Sequence, residues 1–110
     1  MTGQGYIACA SCHLDGEPDG RTWDFTDRGE GLRNTTSVLG LLDAGLLHWS
    51  ANFDELQDFE QSIREDQGGT GLMDDAAYAV CEDPMDVPKA GRAQALDDLA
   101  AYVYLSLIHI

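Results

Sequence analysis

Two thiols and an imidazole fall within five residues at Cys9-Ala10-Ser11-Cys12-His13. They are two of the three cysteines and one of the three histidines of the chain. Their spacing puts both sulfurs on one helical turn, where each can add across a vinyl group of haem to form a thioether. His13 follows directly and can turn its imidazole under the iron. The pattern predicts a covalently bound haem c, held by Cys9 and Cys12, with His13 as one axial ligand of the iron. Other uses of these residues fit less well. A thioredoxin-like dithiol follows a strand in a βαβ unit, and no such unit is expected here. A zinc site needs four ligands, and Cys81 with His13 or His48 offers no ligand spacing for its second half.

Further polar and aromatic residues can be matched to such a group. Arg21, Arg28 and Arg33 are half of the six basic residues, and all follow shortly after the motif. A haem propionate needs donors, and the Arg fork supplies two at once. Arg33 is the expected propionate partner, against a local balancing of Asp24, Asp27 and Glu30. Trp23 and Trp49 are expected to wall the pocket, a role that overlaps with ordinary core packing. Cys81 stands alone and reads as a small, semi-buried residue.

The elements that must hold these residues are expected to be helices. Residues 4–13 read as a short helix ending in the motif, and 14–34 as a loop punctuated by Gly16, Pro18, Gly20, Gly29 and Gly31. A short helix is expected over 36–43. The clearest one covers 53–65, with Asn52 as N-cap, Glu55 in a capping box, and Phe53, Leu56, Phe59 and Ile63 on one face. Residues 70–91 return to loop, and a last helix covers 92–105. No stretch alternates convincingly with period two, so the expected fold is all-α. It has three to four helices, with long loops wrapped around one central cofactor that would explain their length.

The chain has 110 residues, enough for one small domain, expected over 1–104. Its formal charge of -14 argues against nucleic acid, whose phosphates call for Lys and Arg. It also disfavours anionic membrane surfaces and suits either solubility or a redox partner with a basic surface. No transmembrane run is present, and Met1–Gly5 has neither a basic start nor an apolar segment. Haem is attached to such motifs outside the bacterial cytoplasmic membrane. The chain is therefore expected to be a periplasmic fragment, with an export signal and further domains upstream. At the other end, Leu105-Ser106-Leu107-Ile108-His109-Ile110 is what CTG TCT CTT ATA CAC ATC encodes. That string resembles a sequencing adapter, so 105–110 is expected to be a read-through tail and His109 is set aside as a ligand.

Gly5-Tyr6 ahead of the motif and Leu96-Asp97-Asp98-Leu99-Ala100-Ala101-Tyr102-Val103 near the end resemble the first and last helices of class I cytochromes c. The middle segments Gly31-Leu32-Arg33-Asn34-Thr35 and His48-Trp49-Ser50-Ala51-Asn52-Phe53-Asp54-Glu55 resemble cytochrome c domains of the bacterial dihaem peroxidase and MauG group. The resemblance runs up to Tyr104. It departs from the peroxidases in having one haem motif where they have two, and Glu30-Gly31 where they often have a Met.

The resemblance implies a distal Met from the loop before the last helix. Met73 stands there, after Gly68, Gly69 and Gly71, whose freedom would let the backbone approach the haem closely. Met73 is the preferred second axial ligand, with His48, Met85 or no second protein ligand as alternatives, and Met1 is set aside as too near the motif. The expected function is electron transfer by the single haem, since no nucleophile and base pair suggests catalysis. The alternative is a haem domain of a larger peroxidase-like oxidoreductase.

Overall fold

The computed structural model describes residues 2–106. Met1 and four tail residues, 107–110 with His109, lie outside them, so the expected read-through tail is represented only by Leu105 and Ser106. Apolar burial divides the chain unequally. Every buried apolar side chain of the core belongs to Leu47 or a later residue. Among the described residues before Leu47, Gly16 alone is buried.

The core has two parts. Leu47, Phe53, Leu56 and Ala100 form one, flanked by Leu41, Phe59, Val103 and Tyr104. Met73, Tyr78, Cys81 and Leu96 form the other. One helix, α3 (Gln94–Ser106), serves both, because Leu96 and Ala100 are four apart and share a face. Its bounds lie close to those expected from the apolar stripe.

The helix expected over 53–65 is shorter and less regular. Residues 53–55 are not helical. A 3₁₀ turn covers Leu56–Asp58, α1 covers Phe59–Gln61, and a π-helical turn continues over Ser62–Asp66. Glu55, not Asn52, is the N-cap, and the Asp58 carboxylate accepts the backbone N–H of Asp54 at 3.1 Å and of Glu55 at 3.4 Å. Such a reach back from the third helical position satisfies donors that a helix start leaves open. A third short helix, α2 (Asp75–Tyr78), lies in the segment expected to be loop.

The all-α expectation is overturned by a two-stranded antiparallel sheet, β1 (Thr22–Phe25) and β2 (Gly31–Asn34). The three helices do not wrap a central site either; two of them are α1 and α2, each about one turn long. Thr22 pairs with Asn34, Trp23 with Arg33, Asp24 with Leu32 and Phe25 with Gly31. Trp23, Phe25, Gly31 and Arg33 are the less exposed residues of the hairpin, as the period of two requires. A 3₁₀ turn over Thr26–Arg28 joins the strands, and Gly29 closes it at φ 79°, a left-handed backbone that costs glycine least. Of the glycines that read as loop punctuation, Gly29 and Gly31 are hairpin residues, while Gly16 and Gly20 precede the hairpin. The expected helices over 4–13 and 36–43 reduce to 3₁₀ turns at Cys9–Ser11 and Leu41–Asp43.

No helix among the described residues is long and apolar enough to cross a membrane.

Candidate functional site

The motif rides on the 3₁₀ turn Cys9–Ser11. The N–H of Cys12 at 3.2 Å and that of His13 at 3.0 Å both donate to the Cys9 carbonyl. The Ser11 hydroxyl accepts the N–H of Ala8 at 3.1 Å and closes the start of the turn. The segment is anchored to the folded half through Gly3, whose N–H donates to the Gln67 carbonyl at 3.0 Å. A β-carbon at Gly3 would strike the Gly68 carbonyl, so the approach is close. The hairpin is tied to the same place, because Arg28 pairs with Asp66 at 3.1 Å. Both parts of the site thus rest on the far end of the π-helical turn, an irregularity common at functional sites.

The three cysteines are thiols rather than disulfides. Desolvation of the Cys9 sulfur raises its thiol above the ordinary value, and the neighbouring Cys12 adds to that. A nucleophilic dithiol needs the opposite shift. His13 Nδ1 is buried and finds no hydrogen-bond partner among the described residues. A buried nitrogen without a partner calls for one, and an ion is among the partners that satisfy it.

Beside the motif lies an open cleft of about 530 Å³, within the size range of small-molecule sites. Ile7, Ser11, Cys12 and Leu14 line it together with Pro18, Asp19, Arg21 and Trp23. The Asp19 carboxylate accepts the N–H of Arg21 at 2.9 Å. A hydrogen bond from the Thr35 hydroxyl, with that N–H second, holds the Asp19 carboxyl below its usual range. Trp23 donates its indole N–H to Thr35 at 2.8 Å, which fixes its ring at the cleft.

Of the seven residues singled out from the sequence, the structure gathers several. Cys12 and Trp23 line the cleft, and Cys9 and His13 flank Cys12 on its turn. Arg33 is the cross-strand partner of Trp23, and its guanidinium lies 6.0 Å from the Trp49 ring centre. Trp49 donates its indole N–H to the Asn34 carbonyl at 2.9 Å. Arg33 itself is engaged with Glu30 at 3.6 Å and with the Leu32 carbonyl. Arg21, and not the expected Arg33, is the arginine that lines the cleft, and no local pattern in the sequence separates the two.

Met73 lies apart. It is 5% exposed in the second core cluster, and its sulfur accepts the Cys81 thiol at 3.7 Å. Cys81 is buried rather than semi-buried, and its thiol also donates to the Ala77 carbonyl at 3.2 Å. Met85 is exposed, at φ 65°. His48 sits on a left-handed backbone at φ 69°, its ring packed 4.0 Å from Phe53 and 4.7 Å from Phe59. Its Nδ1 meets the Asn52 amide oxygen at 3.0 Å, and burial of the ring pushes its pKa down.

One further group of candidate ligand atoms converges among the described residues, the carboxylates of Asp54, Glu55 and Asp58. Lys89 already answers it. Its buried ammonium meets Asp58 at 2.9 Å, and its backbone N–H donates to Glu55.

The chemistry of the donor set fits a covalently held haem. Two thiols stand on one turn with an imidazole next in sequence, and beside them lies a cleft of mixed lining, with Ile7, Leu14, Pro18 and Trp23 apolar and Ser11, Asp19 and Arg21 polar. Comparison of the chain with protein-family models, with curated proteins and with solved structures gives no match.

Proposed function

We propose that this chain binds one haem c through thioethers from Cys9 and Cys12, with His13 as an axial ligand, and that it serves electron transfer. The observation that carries the reading is the turn Cys9–Ser11 with Cys12 and His13, set against a cleft that Cys12 and Trp23 line. Haem supplies a reversible one-electron change at iron. The chain's own residues do the rest. Trp23, Ile7 and Leu14 would give the cofactor apolar lining. Arg21, which lines the cleft, and Arg33, the cross-strand partner of Trp23, would supply positive charge for the propionates. Met73 would be the second ligand, with His48 as the alternative.

Leu14, which lines the cleft, is an exposed apolar side chain that a cofactor there would cover. Burial of such surface against a cofactor contributes about 25 cal/mol per Å². The acidic balance of 20 to 6 suits a redox partner with a basic surface. The proposed location is outside the cytoplasmic membrane, where such haems are attached.

The test is the behaviour of the ferric holoprotein. An electron carrier with two axial ligands should accept and release an electron without binding added cyanide or consuming peroxide. Rapid cyanide binding together with peroxide turnover would instead place the chain in a peroxidase-like oxidoreductase.

A further inference from the structure

We propose that Thr35 is a positioning residue for the cleft, fixing the Trp23 ring in its wall through one hydroxyl. The inference rests on the reading of the cleft as the haem site. Trp23 and Thr35 are both half-buried, and the Trp23 indole N–H donates to the Thr35 hydroxyl at 2.8 Å. A hydroxyl has one proton to give, and that of Thr35 goes to the Asp19 carboxylate. Asp19 also accepts the Arg21 N–H at 2.9 Å. The Thr35 N–H donates to the Arg21 carbonyl at 3.2 Å. Thr35 does not itself line the cleft, yet it bonds to three residues that do, Asp19, Arg21 and Trp23.

The hairpin register makes the contact possible. Trp23 pairs with Arg33, and Thr35 stands two residues beyond it on the same face. That diagonal is within reach of a long aromatic side chain. An indole has one donor and no acceptor, so a single bond at Nε1 meets its whole polar demand and sets its tilt. Closing the base of the hairpin does not account for the Thr35 hydroxyl. Thr22 already does that, donating to the Asn34 side chain at 2.7 Å across the neighbouring rung. The Thr35 hydroxyl is spent instead on two side chains of the cleft. A wall fixed in advance has less freedom to lose when a ligand binds.

The experiment compares the holoprotein with Thr35→Val, Thr35→Ser and Thr22→Val. Acid-acetone extraction first shows whether the haem is attached. NMR then reads the Trp23 indole N–H in the ferric and ferrous forms, together with its exchange with solvent. Unpaired spin on ferric iron shifts nearby protons, so the difference between the two forms reports where the indole sits. The proposal expects a redox-dependent shift of this signal in the wild type. Thr35→Val should change that shift and speed the exchange by about fivefold, the worth of one ordinary hydrogen bond. Thr35→Ser, which keeps the hydroxyl, should restore both. Thr22→Val, which removes the other hydroxyl of the hairpin base, should leave both as they are. Where Thr35→Val does not fold, Thr35→Ala with the same readout decides. A Trp23 signal equal in both iron states overturns the proposal while the haem reading stands. So does a signal unmoved by loss of the Thr35 hydroxyl, not restored by Thr35→Ser, or moved as far by Thr22→Val. Haem lost to the solvent overturns the haem reading and the proposal together.

Discussion

His48 shows how much one side chain's surroundings decide. Its ring is packed on Phe53 and Phe59 and bonded to Asn52, and burial lowers its pKa from the ordinary 6.5. A folded chain that resists protonation gains stability above pH 6.5 and loses it as pH falls from there through the folded value. We expect the thermal midpoint of the wild type to drop on acidification below that pH, and His48→Asn to lose that part of the drop. Asn tolerates the left-handed backbone at this position. Equal pH profiles in the two proteins would contradict the assignment. Cys9, Cys12 and His13 stand together within five residues, so their spacing is legible without the fold. Arg21 could not be ranked above Arg33, nor Met73 be seen to face Cys81, because hairpin pairing and core packing bring those partners together from distant positions.

At the scale of elements, the start of the helical stretch at Leu56 depends on a carboxylate and a lysine far apart in sequence. Asp58 accepts two backbone N–H groups and the buried Lys89 ammonium at once. Lys89→Met should leave Asp58 charged and uncompensated, at a cost of about 3–5 kcal/mol. Denaturant unfolding measures it. A loss well under ~1 kcal/mol would show that water replaces the lysine. The Phe53, Leu56, Phe59 and Ile63 stripe was legible, and three of the four are buried. The capping residue was not, since Asn52 is used by His48 and Glu55 takes its place. The strands were missed for a physical reason. Each has four residues, and a two-stranded sheet of that length gives too short an alternation to stand out against its glycines. The last helix, by contrast, is long enough for its period to repeat.

Over the whole molecule, the folded core and the candidate site occupy different parts of the chain. Residues 47–104 carry the buried apolar side chains, and the motif and hairpin lean on them through Gln67 and Asp66. A segment with so little burial has little local stability of its own. Limited proteolysis of the chain without haem should cut first within residues 2–46, and haem should protect those sites. First cuts within α3 in the haem-free chain would contradict this division. The central claim is covalent attachment at Cys9 and Cys12, and one measurement tests it most directly. The chain is made with an export signal and a haem-maturation system, denatured, and extracted with acid acetone. The account predicts that the haem stays with the protein, and that it passes into the solvent when both Cys9→Ser and Cys12→Ser are introduced. Haem extracted from the wild-type chain would contradict it.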